Sequence, residues 1–349
     1  MPRVKSLRVT EIDLVRGMAL GGMLLVNLSV FTGINRIPLY RLSGLDWLSS
    51  FILLFLVEGK FYPLFAFLFG WGIARRQINA LEEGAFFISN LRRMLVLSLF
   101  GLAHAFLLWQ GDILFVYALI GIFLPWMRRI SLRLVIPIVV FSLILGSILS
   151  LPELGRKWNE GYMALVSPLT APFHLSQSQS LQNLTFTQQR IREFALKLVF
   201  FPNWLGNFFA MILSGYIVGS GRLCLKKVPL RLLIYPSLII NLFYALINAF
   251  PNLAPVEWAS FLRSITLSLG GPLLAISYAL LFAHWQKSQP GKIFFTLLIN
   301  AGRMPLTLYL LQSLAGAALF FYQVPFAPYL IWPLTGSIFL AQLLFAKLW

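Results

Sequence analysis

The chain has 349 residues, 59% of them hydrophobic and only 11% charged, against roughly 25% charged in ordinary soluble domains; that balance excludes a soluble globular protein and points to a polytopic membrane protein. A formal charge of +17 would suggest nucleic acid in a soluble chain, but a skew of Lys and Arg toward one membrane face explains it here, so no nucleic-acid partner is implied. The single cysteine, Cys224, excludes an internal disulfide framework and offers no metal-ligand spacing.

Apolarity that is continuous rather than alternating predicts an all-α transmembrane bundle, not a barrel. About ten spans can be drawn, at roughly 12–31, 48–74, 94–110, 113–127, 134–151, 199–219, 232–250, 264–284, 293–321 and 328–347. An even count puts both termini on one side, and that side takes 17 of the 28 basic residues, so both termini are expected in the cytoplasm. Residues 1–349 read as one transmembrane domain with an extracytoplasmic excursion at about 152–198. The first apolar run has no small-residue cleavage site and reads as a retained anchor.

The first span, RVTEIDLVRGMALGGMLLVNLSVF, carries Glu11, Asp13 and Arg16 at its mouth and Asn27 further along. Asp13 and Arg16 are spaced to pair on one helix face. Arg16 and Asn27 lie about three turns apart on nearly the same face, roughly 16 Å of rise. A cation near one side and an amide deep toward the other suit a ligand threading the bilayer; an anchor helix with a snorkelling arginine is the alternative. The second span holds Glu58, Gly59, Lys60 and Pro63 at its centre. Charges two residues apart do not face each other on a helix, so each needs a partner elsewhere, and Gly59 and Pro63 loosen the helix as in cavity-lining broken spans. The continuation FYPLFAFLFGWG reads as packing only.

His104 in the third span and Asp112 at the start of the fourth flank a short turn. A histidine can take and return a proton, and a nearby carboxylate can fix its tautomer; a lone membrane histidine also serves simply to hydrogen-bond neighbouring helices. The hydrophilic excursion contains His174, an Asn183-Leu184-Thr185 sequon and the amphipathic stretch TFTQQRIREFALKLV, a candidate lid or interfacial helix. In the ninth span, NAGRMPLTLYLLQS sets Asn300, Arg303, Thr307 and Gln312 around a kinking Pro305. Arg303 falls near the midplane, where an arginine costs at least about 2.5 kcal/mol and so calls for a carboxylate or anionic ligand.

The motifs RVTEIDLVRGMALGGMLLVN, EGKFYPLFAFLFGWG, RRMLVLSLFGLAHAFLLWQGDILFVYALIG and AGRMPLTLYLLQS, in that order, resemble the bacterial YeiB-like family, known by a domain of unknown function numbered 418. That family is grouped with a wider superfamily of membrane acyltransferases. The resemblance implies a multi-pass protein of the bacterial cytoplasmic (inner) membrane that moves an acyl group from cytoplasmic acyl-CoA, acetyl-CoA being the expected co-substrate, to an extracytoplasmic glycan or cell-envelope acceptor. Membrane lipid is a further partner, and a homodimer is compatible with the reading. Two departures stand out. Related type 3 acyltransferases have a histidine near Asn27, and the following loop here contains none, so the transfer histidine would have to be His104. The chain also stops at Lys347-Leu348-Trp349, where YeiB-like chains continue with a short tail.

The roles that follow are these. His104 acts as base, oriented by Asp112; Asn27 and Gln312 donate to the oxyanion; Arg16, set by Asp13, and Arg303 attract acyl-CoA; Glu58 and Lys60 shape the acceptor path; no metal or bound cofactor is required. The competing reading is a proton-coupled transporter or flippase built on Glu58, Lys60, His104 and Arg303. A third is a catalytically inactive acyl-CoA-binding scaffold.

Overall fold

The computed structural model describes residues 10–109, 111–149, 205–224, 228–288, 292–321 and 327–348, with isolated positions between 151 and 160. Its described elements are all helical: α1 (Thr10–Phe31), α2 (Gly44–Ile52), α3 (Phe61–Ile78), α4 (Glu83–Leu107), α5 (Leu114–Phe123), α6 (Leu132–Ile148), α7 (Leu205–Gly219), α8 (Leu230–Ala249), α9 (Val256–Ser288), α10 (Ile293–Arg303), α11 (Pro305–Phe321) and α12 (Ile331–Leu348). His174, the sequon and the amphipathic stretch fall outside the described residues.

Among the described residues, six stretches are long and apolar enough to cross a membrane: Thr10–Phe31, Gly44–Ile78, Glu83–Leu107, Leu230–Ala249, Trp258–Lys287 and Pro328–Leu348. The expected ninth span is two helices meeting at a 90° elbow, and together they would make a seventh. Pro305 opens α11 here; it has no N–H to continue the α10 ladder. The remaining expected spans are shorter apolar helices. α5 has 10 residues and tightens into a 3-10 turn at Pro125, and α6 has 17.

α1 is the hub, packed by α3, α9, α10, α11 and α12. Its tightest crossing is with α10, and glycine makes it possible from both sides. A Cβ on Gly17 would sit 1.9 Å from the Leu298 carbonyl oxygen, and one on Gly302 would sit 1.7 Å from that of Asp13. Close approach at small residues is how membrane helices gain packing contact where lipid supplies no hydrophobic drive.

The basic ends converge. Lys287 pairs with Glu11 at 3.0 Å, Arg129 with Glu83 at 3.3 Å, and Arg222 donates to the carbonyls of Met127 and Ile130. α1 starts at this arginine-rich end and finishes at the opposite one, where Phe31 meets Trp109 at 5.0 Å between ring centroids.

Candidate functional site

At that opposite end α4 stops at Leu107, and the amides of Leu108 and Trp109 both donate to the His104 carbonyl at 2.9 Å. The chain turns and restarts as α5, whose first turn is held by Asp112: its Oδ2 accepts the Phe115 N–H at 2.8 Å. This leaves Oδ1 facing α4, 3.1 Å from His104 Nδ1, with each side chain 1% exposed. The contact is of ion-pair length without hydrogen-bond alignment. Gly101 lets the helices approach; a Cβ there would lie 2.4 Å from the Phe115 nitrogen and 2.9 Å from Asp112 Oδ2. The structure therefore brings His104 and Asp112 together through one cap and one glycine.

Two more elements close around the pair. Tyr309 of α11 lies against the His104 ring at 5.2 Å between centroids. Phe31 of α1 packs on Trp109 and on Gly316 of α11. One turn back from Phe31, on the same face of α1, Asn27 is buried, and among the described residues its Nδ2 has no acceptor. His104 Nε2 likewise has no hydrogen-bond partner there. Each such buried orphan costs about 1–3 kcal/mol unless something pairs with it.

A second polar cluster forms where the helix breaks between α2 and α3. Residues Leu53–Val57 are π-helical and Gly59 takes a φ of 78°, the left-handed region open to glycine. The carbonyls freed by the break find side chains: Lys60 Nζ donates to Leu54 O at 2.7 Å, and the Tyr278 hydroxyl to Leu56 O at 2.9 Å. Lys60 is 0% exposed and sits 5.5 Å above the Tyr244 ring, while the Tyr244 hydroxyl donates to Glu58 Oε1 at 3.2 Å. Glu58 and Lys60 thus share one partner, Tyr244 of α8. Irregular backbone is tolerated at membrane depth only when buried and satisfied in this way.

The Tyr117 hydroxyl donates to the Tyr62 carbonyl at 3.0 Å, and both rings pack on Phe208. Tyr62 and Tyr117 thus tie α3, α5 and α7 together through one hydrogen bond and the Phe208 ring.

The remaining candidates lie elsewhere. Arg16 pairs with Asp13 at 3.0 Å and reaches Gly72 of α3, at the arginine-rich end. Arg303 is exposed at the α10–α11 elbow and donates to Asn300 Oδ1 at 3.2 Å. Gln312 is fully buried, its Nε2 donating to Leu20 O at 3.1 Å and Gln342 Oε1 at 3.0 Å. Both of its N–H bonds are thus engaged in joining α11 to α1 and α12, which leaves none for an oxyanion. Sequence reasoning missed Tyr62, Tyr117, Tyr244, Tyr278 and Tyr309. The only signal was a polar-tipped aromatic inside apolar helices, and Tyr62 lay in the stretch read as packing alone.

Comparison with known proteins adds the following. The family model described as "Protein of unknown function (DUF418)" matches residues 222–349, which include α8 to α12 but not His104. Over the whole chain the sequence is 26% identical to the "Uncharacterized protein YxaH" of Bacillus subtilis, covering 100% of this chain and 91% of that one. It is 30% identical to the "Uncharacterized 39.9 kDa protein in amylase 3'region" of Bacillus acidopullulyticus, over 98% and 89% of the two chains. With the "Uncharacterized protein YeiB" of Escherichia coli it shares 27% identity over 98% and 92%. No solved structure matches.

Proposed function

The chain belongs to the YeiB-like DUF418 family, and from its buried site we propose that it is a membrane acyltransferase, carrying an acyl group from cytoplasmic acyl-CoA to a glycan or other envelope acceptor. The proposal sets it in the bacterial cytoplasmic membrane with about ten spans and both termini inside. The observation that carries it is that two buried polar groups have no hydrogen-bond partner among the described residues. His104 Nε2 and Asn27 Nδ2 lie on elements joined by the Phe31–Trp109 contact, with Asp112 behind the histidine.

The chemistry follows from that arrangement. His104 Nε2 takes the proton of an acceptor hydroxyl or amine as it attacks the thioester carbonyl, and Asp112 stabilises the imidazolium. The carbonyl oxygen becomes an oxyanion, and the Asn27 amide is its assigned donor. Collapse breaks the carbon–sulfur bond, and the departing thiolate recovers the proton from His104. The acyl group ends on the acceptor and free CoA leaves. Gln312 fixes α11, and therefore Tyr309, against α1.

The test is transfer of radiolabel from acetyl-CoA to envelope acceptors by the purified protein in nanodiscs. The label moves with the wild type and stays on CoA with His104→Ala; full transfer by that variant refutes the assignment.

One observation favours a second reading, proton-coupled transport. The chain has a π-helical break at Leu53–Val57 and a 90° elbow at Arg303–Pro305, and the first of these holds buried Lys60 beside Glu58. Paired broken helices with intramembrane charges are the usual furniture of transport sites. Substrate flux in sealed vesicles without acyl-CoA supports that reading and removes the enzyme.

A further inference from the structure

At the arginine-rich end three cations pair with carboxylates. Arg16 has Asp13, Arg129 has Glu83, and Lys287 has Glu11. Arg76 of α3 and Arg93 of α4 do not: among the described residues neither meets a carboxylate. Arg76 Nη2 donates to Asn90 Oδ1 at 3.3 Å, and its guanidinium lies 5.6 Å from the Phe86 ring centroid. Asn90 is 2% exposed, and its Nδ2 donates to Gly121 O at 3.0 Å, so the direction of its amide is set by α5. Arg93 is one turn beyond Asn90 on the same face of α4, near enough for its charge to bear on Arg76. Arg76 is thus fixed against the Asn90 amide, and Arg93 lies one helical turn further along the same face. Among the described residues no carboxylate pairs with either guanidinium, and two neighbouring guanidiniums match phosphate oxygens.

Beside the pair lies an aromatic shelf. Phe86 contacts Phe87 at 6.1 Å, Phe87 contacts Trp126 at 5.5 Å, and Trp126 is 46% exposed. An exposed indole beside a phosphate-binding fork suits a planar base as well as a phosphate.

We propose that Arg76, Asn90 and Arg93, with the Phe87–Trp126 shelf, form a site for a phosphate ester, the nucleotide end of the acyl donor. The inference rests on the acyltransferase reading for the donor's identity. The same phosphate chemistry could come from an anionic lipid headgroup. The aromatic shelf favours the nucleotide, and the experiment separates the two sources.

The protein is reconstituted in nanodiscs of phosphatidylcholine alone or with phosphatidylglycerol, and binding of CoA and of adenosine 3',5'-bisphosphate is measured by calorimetry. Both ligands are expected to bind in phosphatidylcholine. Arg76→Gln and Arg93→Gln should each weaken them about 10-fold or more, the size of one lost charge-assisted hydrogen bond. Arg93→Lys should restore part of the affinity, and Trp126→Ala should weaken adenosine bisphosphate more than inorganic pyrophosphate. Arg93 lies on an exposed surface, so its variants keep the test independent of folding. If neither nucleotide depends on the two arginines, the proposal is overturned. If only retention of phosphatidylglycerol depends on them, by native mass spectrometry, the site is a lipid site and the nucleotide assignment falls. The two readings also fail separately. Arginine-dependent CoA binding without any transfer keeps this site and removes the enzyme. Transfer with CoA binding indifferent to Arg76 and Arg93 does the reverse.

Discussion

Asp112 has two jobs that one substitution can separate. Its Oδ2 holds the Phe115 amide at 2.8 Å, and its Oδ1 faces His104 Nδ1 at 3.1 Å. Asp112→Asn keeps a side-chain oxygen for the cap and removes the charge. Asp112→Ala removes both. For the cap, loss to alanine costs about 0.5–2 kcal/mol, so the alanine variant should melt lower than the asparagine variant by that amount. For the histidine, the carboxylate acts when the imidazole becomes charged. At 3.1 Å the Coulomb attraction is about 5 kcal/mol for an effective dielectric near 20. Reorganisation of the surroundings offsets part of it, and at about 1.4 kcal/mol per decade even half corresponds to roughly 100-fold in rate. Both variants should therefore slow acyl transfer by at least about 100-fold. The assay is the initial rate of radiolabel transfer from acetyl-CoA, run beside thermal unfolding of the same nanodisc preparations. A wild-type rate with Asp112→Asn would mean that the carboxylate is a helix cap and nothing more, and His104 would lose its orienting group.

Three other outcomes follow from the packing. Asn27→Leu, close in volume but without donors, should slow transfer about 100-fold to 1000-fold, as loss of an oxyanion donor does, while leaving CoA affinity unchanged; an equal loss in binding would place Asn27 in a structural role. Tyr278→Phe strips the Leu56 carbonyl of its donor and should lower stability by about 1–3 kcal/mol, read as a lower midpoint in thermal unfolding; an unchanged midpoint would show that the break at Glu58–Lys60 is not held this way. Gly17→Leu drives a side chain into the Leu298 backbone and should cost more than the roughly 1–3 kcal/mol of ordinary overpacking, seen as loss of folded protein on extraction from the membrane; normal yield and melting would contradict the close α1–α10 crossing.

How much of this was legible before the structure depends on the range of the interaction. α1 and α8 were readable to within a few residues because a continuous apolar run needs no partner to declare itself. The helix break at Gly59 was readable from local backbone chemistry. α4 extends well before the apolar run at 94–110, because its helix continues through Arg92, Arg93 and back to Glu83, residues that favour helix but interrupt apolarity. The 90° elbow was read only as a kink, since proline says that the ladder stops and tertiary packing decides how far the chain turns. Within the site, Asp112 could be set near His104 because one short turn separates their helices. Tyr244 and Tyr278, by contrast, reach Glu58 and Leu56 across 186 and 222 residues, a range at which no periodicity speaks. Gln312 shows the same limit from the other side. Its amide looked available until Leu20 and Gln342 were seen to occupy it.

The sidedness on which acyl transfer across the bilayer depends can be tested through the sole cysteine. Cys224 is exposed and lies two residues from Arg222, which is bonded to the Met127–Ile130 turn at the arginine-rich end. Arg36 is exposed just beyond the far end of α1, past the Phe31–Trp109 contact. α1 has 22 residues, or about 33 Å at 1.5 Å per residue, enough to span a hydrocarbon core of about 30 Å. The two positions should therefore face opposite compartments. A membrane-impermeant maleimide should label Cys224 in inverted vesicles and leave it unmodified in intact cells. Arg36→Cys in a Cys224→Ser background should show the opposite pattern. Labelling of both positions from one compartment would mean that α1 does not cross, and the acyl donor and acceptor could then no longer meet the helix from different sides. Reversed labelling would keep the span but put the arginine fork of Arg76 and Arg93 outside the cell, out of reach of cytoplasmic acyl-CoA, and only the lipid reading of that site would survive.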